Sequence, residues 1–361
     1  MPEDRATSST VDPVFWKGRS VLLTGHTGFK GAWLSLWLQS LGASVTGMSL
    51  GTMPSEPCLY GLARVSEGMA ASVIGDVRDA AAVVRELDRA RPEIVIHMAA
   101  QPLVRRSFAA PRETYETNVM GTVNLLEAVR VCEEVRAVVV VTSDKCYENR
   151  ESEGGFREGD PLGGYDPYSS SKAAQELVAS AYARSFFSDP SGPRVATARA
   201  GNVIGGGDWG EDRLIPDLVR AAQAGQRLRL RNPSAVRPWQ HVSCPLGGYL
   251  LLAQALFESP DYACAWNFGP SHSEARTVEQ IVRHVSALWP GGVRWDLDGA
   301  EHPQEAVRLE LDSSRARKLL GWIPPLGLEA GLRATVEWYL GWQEGQDLHE
   351  LTLRQLPALV V

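Results

Sequence analysis

The sequence predicts an α/β fold: a doubly wound parallel-sheet Rossmann domain joined to a smaller, mixed α/β substrate domain. Three observations predict it. Short branched-apolar runs alternate with longer amphipathic stretches through the first half of the chain, the trace of a parallel sheet covered by helices. Each run is apolar almost throughout, as a strand buried on both faces must be. The first run leads directly into a glycine cluster that opens a helix, where folds of this kind bind nucleotides.

In chain order, residues 1–13 read as a loose polar tail. Strands are expected at 19–24, 43–48, 71–75, 93–98, 137–142 and 195–200. Between them, residues 29–41 read as a helix apolar almost all round, and 80–91 and 113–132 as amphipathic helices. Residues 167–187 begin with Pro167, suited to a helix first turn. Past residue 200 the rhythm changes to Gly, Pro, Trp and Arg clusters such as Gly205-Gly206-Gly207-Asp208-Trp209. The dinucleotide domain is therefore placed at 14–200 with a return segment at 239–268, where 246–257 reads as a helix and 265–268 as a strand. The substrate domain takes 201–238 and 269–361.

A chain of 361 residues, 44% hydrophobic, buries a large core without staples. Its five cysteines, Cys58, Cys132, Cys146, Cys244 and Cys264, are odd in number and form no CxxC pair, against a disulfide framework or a metal site. Reduced thiols in a cytoplasm fit this usage. No apolar run approaches the roughly 20 residues of a membrane span, and the start lacks a signal-peptide pattern. A net charge of -7 speaks against nucleic acid or an anionic membrane as partner.

The glycine cluster is Gly25-His26-Thr27-Gly28-Phe29-Lys30-Gly31. Gly25 permits the tight turn, Gly28 lets backbone N–H groups approach a diphosphate, and Gly31 lets helix pack on strand. The end of the second strand carries Ser49 where an acidic residue selecting the cofactor ribose is expected, so NAD and NADP are not separated. Asp76, followed by Val77, suits either an adenine amino group or a helix N-cap.

Tyr168 and Lys172 stand four apart on one helix face. A nearby ammonium favours tyrosinate, so Tyr168 can take a proton from an alcohol while hydride leaves its carbon. The fifth strand ends in Thr142-Ser143-Asp144-Lys145 at the carboxyl edge of the sheet. Ser143 can bond the reacting hydroxyl, Asp144 can protonate a departing one, and Lys145 can act as a base. A solvated helix face and a capping Ser-Asp pair are the competing readings.

At these residues the chain resembles the extended short-chain dehydrogenase/reductase family, and within it the nucleotide-sugar 4,6-dehydratases. The resemblance rests on residues 24–31, 97–104, 142–149, 201–209 and 237–241. Asp144-Lys145 stands where the dTDP-glucose enzymes carry Asp-Glu, so the resemblance implies CDP-glucose as substrate and NAD as cofactor. It implies oxidation at C4, loss of water across C5 and C6, and hydride return to C6. Ala99, Ala100 and Gln101 would border the cofactor, Gln101 and Ser107 the sugar, and Asn202, Arg213 and Arg237 the diphosphate and nucleotide. His26 would crowd the pyrophosphate and weaken cofactor retention. Residues 148–165 would form a lid, with disorder in the absence of ligand as the other account. The helices at 113–132 and 167–187 would form a four-helix homodimer interface. A 4-epimerase, a dehydratase for another nucleotide sugar, and a non-catalytic dinucleotide sensor are the rival functions.

Overall fold

Burial on both faces explains the apolar runs. In the computed structural model, which describes residues 10–149, 154–189, 191–298 and 309–357, they form β1 (Ser20–Thr24), β2 (Ser44–Ser49), β3 (Ala71–Ile74), β4 (Ile94–His97), β5 (Ala137–Val141) and β6 (Arg194–Ala200). With β7 (Ala265–Phe268) they make one seven-stranded parallel sheet of order β7-β6-β5-β4-β1-β2-β3. Successive residues face opposite ways. Val21, Leu23, Ile94, Ile96 and Val139 enter one apolar cluster, whereas Leu22, Val95, Val138 and Val140 enter another. The exception is β3. It lies at the sheet edge, alternates instead of being buried throughout, and leaves Ile74 79% exposed.

Between β1 and β4 the strand order reverses, because the chain crosses from β3 back to the other side of β1. That switch point is where such sheets open a crevice. The helix Phe29–Ser40 buries every residue from Gly31 to Leu38, the reason its sequence is apolar all round. The expected helix at 113–132 is broken: Pro111–Tyr115 and Gly121–Arg130 are α-helical, while Glu116–Met120 forms a π turn that brings Asn118 inward. The helix Pro167–Ser185 begins at its proline and is capped by Asp166, which accepts from Ser169 N. The return helix, Ser243–Glu258, starts three residues earlier than expected and is buried on most sides. The first cluster continues from the sheet through Trp33 and Trp37 to Trp338 and Tyr339, so segments on both sides of residue 200 share one core.

Of the expected tail, residues 1–9 lie outside the described residues, and Asp12 N bonds Gln254 Oε1 at 3.2 Å. Residues 150–153 of the expected lid also lie outside them, whereas Tyr147 bridges Leu162 and Phe156 bridges Leu311. All five cysteines are unpaired, no described helix is long and apolar enough to cross a membrane, and no metal-binding cluster occurs among the described residues.

A buried ion pair locks this frame behind the sheet edge. Glu176 accepts from Thr142 Oγ1 at 2.5 Å, Thr197 Oγ1 at 2.7 Å and Arg199 NH2 at 2.7 Å. Arg199 also donates to the Tyr147 hydroxyl, which donates to Asn267 Oδ1 at 2.8 Å. Helix, β5, β6 and β7 are thereby tied through two charges that are each 3% exposed. Removing one partner strands the other in the interior, so Arg199→Leu is expected to cost about 3–5 kcal/mol in urea unfolding.

Candidate active site

The glycine turn is shaped by close approach. Gly25 has φ +77°, and a Cβ there would fall 2.8 Å from Ala99 N, so the turns after β1 and β4 touch. A Cβ at Gly31 would lie 2.1 Å from Gly25 O, which lets the helix start against the strand. Gly28 caps that helix without a side-chain bond, leaving first-turn N–H groups to an anionic ligand. The cradle therefore fits a dinucleotide diphosphate. Ala99 and Ala100 border it, partly exposed, beyond β4.

His26 departs from its expected place. Its imidazole does not crowd the turn but is buried between β2 and β3, with Nδ1 3.0 Å from Ser49 Oγ and Nε2 2.8 Å from Ser72 Oγ. Burial holds its pKa down to about 4, so the ring is neutral. Ser49 is thereby committed to His26 and to Thr27 N at 3.3 Å. Asp76 is not the helix N-cap, since Asp79 accepts from Ala81 N and Ala82 N. Instead Asp76 pairs with Arg78 at 2.6 Å, and Val77 is buried beside Gly121.

Beside the turn lies a cavity of about 330 Å³, lined by Ser143, Asp144, Lys145 and Tyr168 with Lys30, Thr142, Asn202, Arg213 and Arg237. Ser143 Oγ donates to Asp144 Oδ1 at 3.0 Å, accepts from Lys145 N at 3.2 Å, and lies within hydrogen-bond reach of the Tyr168 phenol. Burial pushes the phenol up to about 12, against the pull of Ser143 and Arg213. Asp144 is raised too, its desolvation outweighing Lys145, Ser143, Arg237 and Lys30. Its Oδ2 is buried without a hydrogen-bond partner among the described residues. A carboxyl in this setting favours its protonated form and can act as an acid.

Lys172 is buried behind Tyr168 and donates to Gln175 Oε1 at 2.8 Å and Val141 O at 3.4 Å. Burial and the like charge of Lys30 lower it to about 7. Lys30, expected only at the cofactor, reaches the cavity wall, bonds the Tyr249 hydroxyl at 3.2 Å, and is lowered to about 8 by burial and Arg213. Arg213 is held by both oxygens of Asp208 at 3.1 and 3.0 Å. Arg237 donates to Val236 O at 3.0 Å.

Gln101 and Ser107 do not line this cavity. The Gln101 carboxamide is spent on Leu103 and Thr114. Ser107 accepts from Tyr168 N at 3.1 Å and fixes the start of that helix. Sequence reasoning missed Asn118, Gln175 and Glu176, whose polar side chains point into the protein from helices. The signal for Gln175 and Glu176 was polarity one turn from Lys172, and Asn118, on a separate element, gave none.

The sequence pattern of the GDP-mannose 4,6 dehydratase family matches residues 22–335. The chain belongs to this family. Among its relatives, CDP-glucose 4,6-dehydratase of Salmonella typhimurium is 50% identical over 351 residues, covering 96% of this chain and 97% of that one. A dTDP-glucose 4,6-dehydratase of Xanthomonas campestris is 31% identical, covering 90% and 95%. UDP-glucose 4-epimerase of Thermus thermophilus, solved in complex with NAD, superposes with TM-score 0.75 at 26% identity, covering 89% of this chain and 99% of that one. A dTDP-glucose 4,6-dehydratase of Bacillus anthracis with NAD, at 24% identity and TM-score 0.73 over 91% and 99%, shares the fold. The GDP-mannose dehydratase family is thus a Rossmann family, and the seven-stranded sheet is its scaffold here.

The lowered Lys172 makes a pH prediction. Below about pH 7 the ammonium is charged in folded and unfolded chains, and its burial cost is fully present. Between about 7 and 10.5 the unfolded chain holds more protons, so stability rises with pH. Urea unfolding of the cofactor-free protein should therefore show that the stability of Lys172→Met relative to the parent is greatest near about pH 6 and declines towards about pH 10.

Proposed function

We propose that the protein is a hydro-lyase that converts CDP-glucose to CDP-4-dehydro-6-deoxy-glucose with NAD as a bound cofactor. The observation that carries this reading is the buried oxygen of Asp144 that has no hydrogen-bond partner among the described residues, one serine away from Tyr168 in a single cavity. An oxidoreductase needs only the phenol and its ammonium. A dehydratase also needs an acid, and burial raises Asp144 towards its protonated form. The 50% identity to a CDP-glucose 4,6-dehydratase supports the same choice.

NAD, when bound, supplies a hydride acceptor for C4 and later a donor for C6. Tyr168 takes the proton of the C4 hydroxyl, with Lys172 stabilising the tyrosinate and Ser143 bonding the oxygen that becomes the ketone. The ketone acidifies the C5 proton, which Lys145 removes. Asp144 gives its proton to the C6 hydroxyl, which leaves as water. The resulting carboxylate is stabilised by Arg237 and Lys30, whose charges reach it. Asn202, Arg213 and Arg237 hold the diphosphate and nucleotide, the arginines through charge-assisted bonds. In this division residues 14–200 with 239–268 carry the cofactor, and 201–238 with the segment from 269 onward carry the nucleotide sugar. We place the enzyme in the cytoplasm.

Incubation with CDP-glucose should yield a product lighter by one water and no net NADH, whereas dTDP-, UDP- and GDP-glucose should not react comparably. Tyr168→Phe should lower kcat by about 10²–10⁴. Asp144→Asn should lose a similar factor but still exchange the C5 hydrogen with solvent, because oxidation at C4 and proton removal at C5 precede the step that needs the acid. Normal turnover by either variant, or epimerisation without dehydration, would defeat this reading.

We further propose that the chain assembles as a homodimer. Met120 and Leu177 are 48% and 60% exposed on the two elements expected to pair, with Tyr115 and Phe186 also exposed. A symmetric four-helix contact would cover them. Light scattering at micromolar concentration should give twice the chain mass, and Leu177→Glu should give the single-chain mass.

A further inference from the structure

Lys172 is surrounded by titratable groups but hydrogen-bonded to a neutral one. Lys30 faces it from the helix Phe29–Ser40, Glu176 from its own helix, Cys146 from the turn after β5, and His97 from β4. Tyr168 stands one turn before it. Its bonds nevertheless go to the side chain of Gln175, at 2.8 Å, and to Val141 O. Gln175 is fully buried.

The orientation of that carboxamide follows from a count of protons. Thr122 has one hydroxyl hydrogen and donates it to Asn118 O at 2.8 Å, so it can only accept from its other neighbours. Those neighbours are Gln175 Nε2 at 2.8 Å and His97 Nε2 at 3.1 Å, and both must be donors. The Gln175 oxygen is then the end that meets Lys172. His97, held down to about 3 by burial and Lys172, is neutral and carries its proton on Nε2. Its Nδ1 accepts from Thr24 Oγ1 at 2.8 Å, and Thr24 Oγ1 accepts from Met98 N at 3.1 Å and Ala99 N at 3.2 Å. Every proton between the end of β1 and Lys172 therefore has one assignment. A reversed Gln175 would set N–H against ammonium and leave the acceptor on Thr122 unused.

We propose that Gln175 is a positioning residue: its oxygen directs the Lys172 ammonium, and the chain through Thr122, His97 and Thr24 holds that oxygen in place. One N–H goes to Gln175 and one towards Val141 O. The inference rests on Tyr168 and Lys172 being the acid-base pair of the reaction above. Gln175 itself touches no reacting atom.

The test uses the full chain as Gln175→Glu and Gln175→Met. A carboxylate at that distance raises Lys172, whereas loss of the acceptor lowers it further. In the cofactor-free protein, the rise in urea stability above about pH 7 should start at higher pH in Gln175→Glu and at lower pH in Gln175→Met. In turnover, the alkaline limb of kcat should move by about 0.5–1 pH unit, upward in Gln175→Glu and downward in Gln175→Met. Gln175→Met should lose about tenfold in kcat with KM for the nucleotide sugar little changed. Should Gln175→Met not fold, the direction of the Gln175→Glu displacement decides. Parent-like pH profiles in the folded variants would overturn the positioning role. The stability profiles need no substrate, so failure of the proposed reaction would show separately.

Discussion

Desolvation is the constraint on which the site depends. An acid, a phenol and two ammonium groups meet at the carboxyl edge of one sheet, and burial moves each towards its neutral form. In water Asp144 would be ionised near neutrality and Lys172 would hold its proton firmly, whereas the phenol is driven away from tyrosinate by the same burial and depends on neighbouring positive charge to ionise. Much of the surrounding architecture makes this burial tolerable. The pair formed by Glu176 and Arg199 supplies charge balance deeper in the protein, and Gln175 supplies a neutral acceptor where a second carboxylate would restore full charge to Lys172.

The strands were legible because burial on both faces leaves little room for polar residues, as the all-buried β5 illustrates. The strand expected at 71–75 is also present as β3, but its half-exposure was not foreseen, since an edge position has one neighbour and needs no continuous apolar run. Helix periodicity found residues 113–132 but not the π turn within them, since one inserted residue leaves the apolar stripe nearly unchanged. Of the site, the glycine turn, Ser143 to Lys145, Tyr168 and Lys172 were readable from motif and context. The direction of a side chain was not. His26 and Gln101 occupy motif positions, yet hydrogen-bond partners from distant elements draw both into the protein.

The cavity also separates charge by region. Arg213, Arg237 and Asn202 line it, and Asp208 fixes Arg213 in place with two contacts. A guanidinium already held needs less ordering when an anion arrives. The acid Asp144 sits within reach of Arg237 and Lys30, so binding an anionic diphosphate alters the field at the carboxyl that gives up its proton. In the proposed reaction, substrate binding and acid strength would thus be coupled.

The seat of His26 reaches beyond stability. The imidazole occupies the volume that a side chain on Gly47 would fill, because a Cβ there would lie 2.3 Å from the ring. Position 47 tolerates little else while histidine stands at 26, and a smaller residue at 26 would open a hole over β2. The two positions are therefore sterically coupled: any side chain at 47 needs a smaller residue, or a displaced ring, at 26.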